Sequence, residues 1–184
     1  MNIRPSFAVY LNNIFGLRNQ RLCAEIGVSS GRNASAMLHQ SDISLILVDD
    51  YVTNVEFADA EERAKKALEP FGHRVLFIKK PSIEAVKEVR DESLDYVYID
   101  GGHDYADVKS DIEAWYPKIV NMGMLAGHDF WKKSVAEAVI EFANKEKVIV
   151  YGVSVFGNIG SGVVSNAAMM CDWWLFKGVS NGHN

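Results

Sequence analysis

The chain has 184 residues, 48% of them apolar, with 19 Lys+Arg against 24 Asp+Glu for a formal net charge of −5. That length suits a single domain able to bury about 70% of its unfolded surface, and the near-average composition excludes collagen-like, coiled-coil and disordered classes. An acidic chain without a basic block lacks the electrostatic footprint for a phosphate backbone, so nucleic acid is not expected as a partner.

Residues 1–19 read as a helix packed on the edge of a sheet, with Pro5 near its start. The apolar stretch from Phe7 to Leu11 is broken by Asn12 and Asn13, and no small-residue cleavage site follows, which argues against a leader. No run approaches the roughly 18 apolar residues of a membrane span, so the expectation is a cytoplasmic chain with no membrane partner. Short β-type runs then alternate with longer segments of helical spacing. The β-type runs cover residues 22–26, 44–48, 74–78, 95–99, 122–126, 147–153 and 172–176. Most are apolar on both faces, as strands covered by helices on each side must be. Cys23 and Cys171 fall in such runs and read as buried thiols of a reducing compartment.

Residues 55–71 are rich in Ala, Glu and Lys and stop before Gly72, a natural C-terminal glycine. Ser82 reads as the N-cap of a helix carrying Ile83, Val86 and Val89. In 104–120, Tyr105, Val108, Ile112, Trp115 and Ile119 recur at helical steps, and Val135, Val139, Phe142 and Ala143 line one face of another helix. Strand–helix alternation of this kind predicts an α/β, doubly wound, mostly parallel seven-stranded sheet. Residues 157–168 carry glycines and no helical pattern, so the last two strands are expected to form a hairpin with the seventh antiparallel. The whole of 1–184 reads as one domain, with 1–19 as an N-terminal helical segment and 20–178 as the core. Trp173 and Trp174 are adjacent in an edge-region strand, which places one on each face and makes a homo-oligomer an expectation.

Three segments carry chemistry. The first is Glu25-Ile-Gly27-Val-Ser29-Ser-Gly31, which follows the first strand and opens a helix. Its small residues permit close backbone approach, and the helix N-terminus offers N–H groups to an anion. A nicotinamide fingerprint fails at Ser29 and Arg32, and the Gly-Lys-Ser/Thr ending of a phosphate-cradling loop is absent. In the second, Asp49 directly follows the second strand, 22 positions after Gly27, where a carboxylate can accept ribose hydroxyls; Asp50 is the alternative and Tyr51 follows. The third pairs Asp100-Gly-Gly-His103 after the fourth strand with His128-Asp129 after the fifth. Two neighbouring strand ends thus present two carboxylates and two imidazoles to one crevice. That set suits a divalent metal such as Mg²⁺ or a general base.

The glycine loop resembles the first motif of class I S-adenosylmethionine-dependent methyltransferases, E/D-x-G-x-G-x-G, with Ser29 in place of the middle glycine. The stretch Asp95-Tyr-Val-Tyr-Ile-Asp-Gly-Gly-His-Asp-Tyr105 and the run Gly123-Met-Leu-Ala-Gly-His-Asp-Phe130 resemble a subgroup with D-G-x-H-x-Y and G-H-D-Y/F motifs, similar to small-molecule O-methyltransferases. The resemblance implies a Rossmann-like methyltransferase fold and S-adenosylmethionine as cofactor. It implies that Glu25, Gly27, Ser29 and Gly31 hold the methionine part, Asp49 the ribose, and Tyr51 packs on the adenosine. Asp100 would lie beside the transferring methyl group. Ser82 would stand near the adenine, where Lys79-Lys80-Pro81 lacks the acidic residue frequent in relatives. Related O-methyltransferases bind Mg²⁺ through acidic residues matched by Asp100 and Asp129, and His128 stands where some have another acid. The catalytic candidates are His103 as base with Asp100 and His128, and Asp129 helps orient His103 directly or through the metal.

The acceptor implied is a small hydroxylated metabolite or sugar, recognised by residues 1–19, the turn at 130–133 and the loop at 157–168. Two other classes fit the same residues: a metal-dependent oxidoreductase or hydroxylase on this scaffold, and a non-catalytic cofactor-binding subunit.

Overall fold

The computed structural model describes residues 21–52, 58–154, 157–159 and 171–179. The helix expected at 1–19 and most of the 157–168 loop lie outside the described residues. Five parallel strands, β1 (Leu22–Ile26), β2 (Ser44–Val48), β3 (Val75–Ile78), β4 (Leu94–Ile99) and β5 (Ile119–Gly127), form the left and centre of one sheet. It is completed by β6 (Tyr151–Ser154), the short β7 (Gly157–Ile159) and β8 (Cys171–Phe176), in the order β3-β2-β1-β4-β5-β8-β6-β7. β8 runs antiparallel between β5 and β6, as the hairpin reading predicts. Without β7, a three-residue addition inside the segment read as loop, this is the expected seven-stranded mixed sheet of a Rossmann-like methyltransferase.

Helices α1 (Arg32–Gln40) and α2 (Ala60–Leu68) cover one face. The short α3 (Ser82–Ala85), α4 (Tyr105–Trp115) and α5 (Lys133–Glu146) cover the other. The period-2 strands divide the core accordingly. Cys23, Leu45, Leu47, Tyr96 and Met124 pack under α1 and α2, whereas Ala24, Ile26, Val48, Val97 and Leu125 pack under α3–α5. Burial raises the Cys23 thiol well above its ordinary pKa, which fits an inert buried thiol.

Several boundaries move for local reasons. α2 begins at Ala60, and residues 53–57 lie outside the described set; its last turn tightens into a 3-10 turn, Glu69–Arg74. Arg74, read as a strand residue, instead sends its guanidinium to the carbonyls of Leu38, Ser41 and Ile43, satisfying the end of α1. Ser82 is the first helical residue and Pro81 the N-cap, a position where proline's missing N–H costs nothing. β5 starts at Ile119 because its first half passes through an irregularity in the pairing with β4, where Met122 has φ +65°. Residues 147–150 are not strand, since Lys147 ends α5 in the left-handed conformation. Trp173 and Trp174 are both buried in an interior strand, so they offer no surface for self-association.

The register matters most. Ile26 is level with both Val48 and Ile99, Val48 with Ile78, and Ile99 with Gly127. The residues that follow, Gly27, Asp49, Lys79, Asp100 and His128, therefore emerge side by side along the carboxyl edge, where open α/β sheets bind ligands.

Candidate active site and cofactor cavity

The loop after β1 turns by repeated excursions into left-handed backbone. Gly27, Ser29 and Gly31 have φ of +84°, +48° and +73°. The alternation of small residues is thus a conformational requirement, and Ser29 meets it at a cost that glycine would avoid. A Cβ on Gly27 would lie 2.3 Å from the carbonyl oxygen of Asp100 and 2.7 Å from Cα of Gly101, so only glycine lets the β1 and β4 loops touch. Gly31 plays a different part: its missing Cβ faces Ala64 and Leu68 of α2, away from the crevice.

Asp49 secures this loop. Its Oδ2 accepts the N–H of Val28 and of Ser29, both at 2.8 Å, and its Oδ1 accepts that of Tyr51 at 2.8 Å. Three of about four acceptor positions are filled, so its first role is to fold the loop, with one lone pair left for a ribose hydroxyl. Asp50 makes an Asx turn to the N–H of Val52. Glu25 is 1% exposed and holds α1 through Asn33, below the crevice.

A cavity of about 690 Å³ opens over the mouths of β1, β2, β3 and β4, within the usual size of a small-molecule site. Of the cofactor candidates, Gly27, Ser29, Asp49, Tyr51, Ser82 and Asp100 line it, and Asp50 does too. Glu25 and Gly31 do not; they support the loop from behind. The Tyr51 hydroxyl is buried without a hydrogen-bond partner among the described residues. Burial, then the charges of Asp49, Glu61 and Glu25, keep it protonated far above neutrality. An orphaned donor at the wall of this cavity fits a polar ligand such as S-adenosylmethionine. Lys79 and Lys80 form exposed pairs with Glu61 and Glu88.

The catalytic candidates converge one step toward β5. Nε2 of His103 is 2.5 Å from Oδ2 of Asp129 and 4.0 Å from Oδ1 of Asp100. His128, nearly buried, places Nδ1 at 3.3 Å from Asp129 and 3.7 Å from Asp100, and Nε2 at 4.0 Å from Asp172. Trp131 Nε1 donates to Oδ1 of Asp129 at 2.8 Å, and the Lys132 ammonium to Oδ2 at 3.0 Å. Burial alone would raise the Asp129 pKa, but His103, His128 and Lys132 outweigh it and hold the carboxyl far below the usual range. Asp129 is an anion that accepts from Trp131 and Lys132 and lies beside both imidazoles.

The same contacts bear on the expected metal site. The donor atoms that come within 4.8 Å of one another belong to Asp100, His103 and Asp129, so His103 stands where the sequence suggested His128. A 2.5 Å approach of His103 to Asp129 is closer than the about 3 Å between neighbouring ligands on an ion with bonds of about 2.1 Å. Lys132 and Trp131 occupy the same carboxylate. With His103 packed against Asp129 and with Lys132 and Trp131 donating to it, the residues form an ion cluster too close-set for a divalent cation in this arrangement.

Sequence reasoning missed Lys132, Trp131, Asp111 and Asp172. Lys132 and Trp131 adjoin the G-H-D-F motif, so adjacency was the available signal. Asp111 sits one turn before Trp115 on the apolar stripe of α4, and a carboxylate on a buried helical face was the clue. Asp172 accepts the Tyr98 hydroxyl at 2.7 Å through sheet pairing that no spacing reveals.

Residues 24–130, more than half of the chain, match a family model described as a methyltransferase domain. The fold is shared with the tRNA (m1A58) methyltransferase TrmI of Aquifex aeolicus at a TM-score of 0.67 and 13% identity, over 97% of this chain and 70% of that one. It is shared with the O-methyltransferase TomG of Streptomyces achromogenes, solved with S-adenosylmethionine, at 0.61 and 15%, over 93% and 79%. A S-adenosylmethionine-dependent O-methyltransferase of Thermotoga maritima aligns at 0.63 and 13%, over 98% and 68%. Such identities speak for the fold alone. An uncharacterized protein of Sinorhizobium fredii, y4gI, is 38% identical over 52 residues, which is 28% of this chain and 6% of that protein's length. No helix among the described residues is long and apolar enough to cross a membrane.

Proposed function

This chain belongs to the methyltransferase-domain family of S-adenosylmethionine-dependent enzymes, and on that premise we propose that it methylates a hydroxyl of a small acceptor, a hydroxylated metabolite or sugar, with His103 as the base. The observation that carries the proposal is the contact between Nε2 of His103 and Oδ2 of Asp129. In this reading the Asp129 carboxylate, held as an anion, faces Nε2, and Nδ1 is the nitrogen that takes a proton from an acceptor hydroxyl. The same logic orients imidazoles in hydrolytic triads. The cofactor, when bound, supplies an electrophilic methyl group on a sulfonium. Gly27, Ser29, Asp49 and Tyr51 would hold it, and the Asp100 carbonyl region packed on Gly27 sets the distance between the two strand mouths. Lys132 supplies positive charge beside the base, so proton removal needs no divalent cation in this reading. Trp131, 47% exposed and anchored through Nε1, offers an aromatic face to the acceptor.

The experiment is transfer of a labelled methyl group to a panel of small hydroxylated compounds, comparing the natural chain with His103→Asn. Turnover should fall by about 10²–10⁴ with S-adenosylhomocysteine affinity unchanged. Equal turnover in the variant removes His103 from the mechanism, and failure to bind S-adenosylhomocysteine removes the proposal.

A further inference from the structure

The glycine of the Gly127-His128-Asp129 run has no part in the site described so far. It stands opposite Trp173 in the β5–β8 pairing, and a Cβ on it would lie 2.7 Å from Cζ2 and 2.8 Å from Cε2 of that indole. Glycine at this position is what lets the Trp173 ring lie against β5. The indole is 1% exposed and forms one wall of a second, much smaller cavity of about 10 Å³, the room of a single water. The loop from Asp100 to His103, together with His128, makes the polar part of the other walls. Trp115 and Trp131 donate their indole N–H groups to Ser82 and Asp129. That of Trp173 is buried with no partner among the described residues, and an indole N–H can only donate. Nε2 of His103 is a second such atom, since it approaches Asp129 at 2.5 Å without the alignment of a hydrogen bond. Gly101 and Gly102 make no backbone–backbone hydrogen bond among the described residues. Two orphaned polar atoms and two such glycines around a space of one water are the surroundings in which buried waters are kept.

We propose that this cavity holds one buried water, which accepts from Nε1–H of Trp173 and from Nε2–H of His103 and donates to the loop between Asp100 and Gly102. At about 10 Å³ the cavity takes nothing larger. Such a water makes about three hydrogen bonds, the number usual for one inside a protein. Trp173 is then a positioning residue: through the water it ties the loop that carries the base to β8, the antiparallel strand beside β5. Donation by Nε2–H leaves Nδ1 as the nitrogen that faces an acceptor hydroxyl. The water site stands on this geometry alone, whereas its effect on turnover rests on the reading of His103 as base. Phenylalanine at position 173 fills much of the same space and offers no donor, so the water loses one bond and the loop its tie.

Water-selective nuclear magnetic resonance on the natural chain, isotope-labelled at tryptophan and histidine nitrogens, tests this with neither cofactor nor acceptor. The Trp173 indole proton should exchange slowly with bulk solvent and still show a cross-relaxation peak to water, with the sign of a water that outlasts molecular tumbling. In Trp173→Phe the His103 ring signals should shift. The kcat for methyl transfer should fall about tenfold, the worth of one hydrogen bond, with S-adenosylhomocysteine affinity unchanged. A slowly exchanging indole without a water peak shows a dry cavity and overturns the proposal, and this measurement decides alone should the variant fail to fold. Unchanged His103 signals in the folded variant overturn the positioning role. A natural chain that shows the water peak but transfers no methyl group upholds the water site and overturns the methyltransferase activity instead.

Discussion

Gly27→Ala is the perturbation with the largest consequence that the structure lets one calculate. The added methyl would lie 2.3 Å from the Asp100 carbonyl oxygen, 2.5 Å from its carbon and 2.7 Å from Cα of Gly101. All three are backbone atoms, and both loops are pinned to the sheet. The N–H of Gly27 is bound to Val48 and that of Asp100 to Ile26. Relief to about 3.0 Å demands a shift of at least about 0.7 Å between the two strand mouths. The left-handed φ of +84° adds about 1–2 kcal/mol for alanine, and overpacking about 1–3 kcal/mol. The expected loss is thus about 2–5 kcal/mol, or about 4–20 °C in Tm for a chain of this length. Because the shift separates the cofactor loop from Asp100, S-adenosylhomocysteine affinity should fall by at least tenfold. Gly31→Ala is the control. Its methyl meets Ala64 and Leu68 at 3.2–3.3 Å behind the loop, so it should lower Tm while leaving affinity within about twofold. Thermal melts and calorimetry on both variants decide the matter. Gly27→Ala with unchanged Tm and affinity refutes the close-approach argument, and Gly31→Ala with lost affinity refutes the division of roles.

Ser29→Gly should raise Tm by about 1–4 °C, since relief of a left-handed serine exceeds the added entropy of the unfolded chain; a lower Tm means that its side chain supports the loop. Mn²⁺ titration followed by electron paramagnetic resonance should show no saturable site below millimolar in the natural chain, and Lys132→Ala should create one by freeing Asp129. Tight binding to the natural chain contradicts the ion-cluster account. Asp111 gives a pH signature with a definite sign. With its folded pKa raised from 3.8 to about 6, the native state holds more protons between those values, so stability is lost as pH rises through that window and stays low above it. Asp111→Asn should therefore match the natural chain near pH 4 and exceed it by up to about 3 kcal/mol at pH 7.5 in denaturant melts. A constant difference across pH counts against the burial of an ionised carboxylate.

Much of this was legible because the sheet's interior imposes its pattern on sequence. β1 and β2 fall where their apolar runs do, since strands buried on both faces leave no polar residue to blur an end. The strand exits were legible for a related reason: a carboxylate or glycine closing such a run has no other place to go. What stayed hidden depended on contacts between distant segments. Arg74 closes α1 from 31–36 positions away, and Ser82, a plausible cap by local rule, is drawn inward by Trp115, 33 positions on. His103 and His128 were equal candidates in sequence. Only the third dimension shows that His103 approaches both carboxylates from the open side while His128 is enclosed by three of them.

Backbone conformation supplies a last distinction that residue types conceal. Six described residues other than glycine have positive φ. Lys147 ends a helix, Met122 lies at the β5 irregularity and Glu92 in the turn before β4, all places where chain direction requires it. The remaining three, Ser29, Tyr51 and Asp129, have no such topological reason, and each follows a different parallel strand at the carboxyl edge. Each is held there by a carboxylate's bonds to neighbouring donors: Asp49 binds the N–H groups of Ser29 and Tyr51, and Asp129 is fixed by Trp131 and Lys132. Strain of about 1–2 kcal/mol per residue survives only where such bonds over-determine it. Its concentration around one crevice is what a site shaped before its ligand arrives requires. Asp49→Asn should therefore loosen the β1 and β2 exits together, because the amide retains one acceptor oxygen for three N–H groups. Faster hydrogen exchange at both Ser29 and Tyr51 is the expected result, and protection lost at only one of them would show that the two exits are not coupled through Asp49.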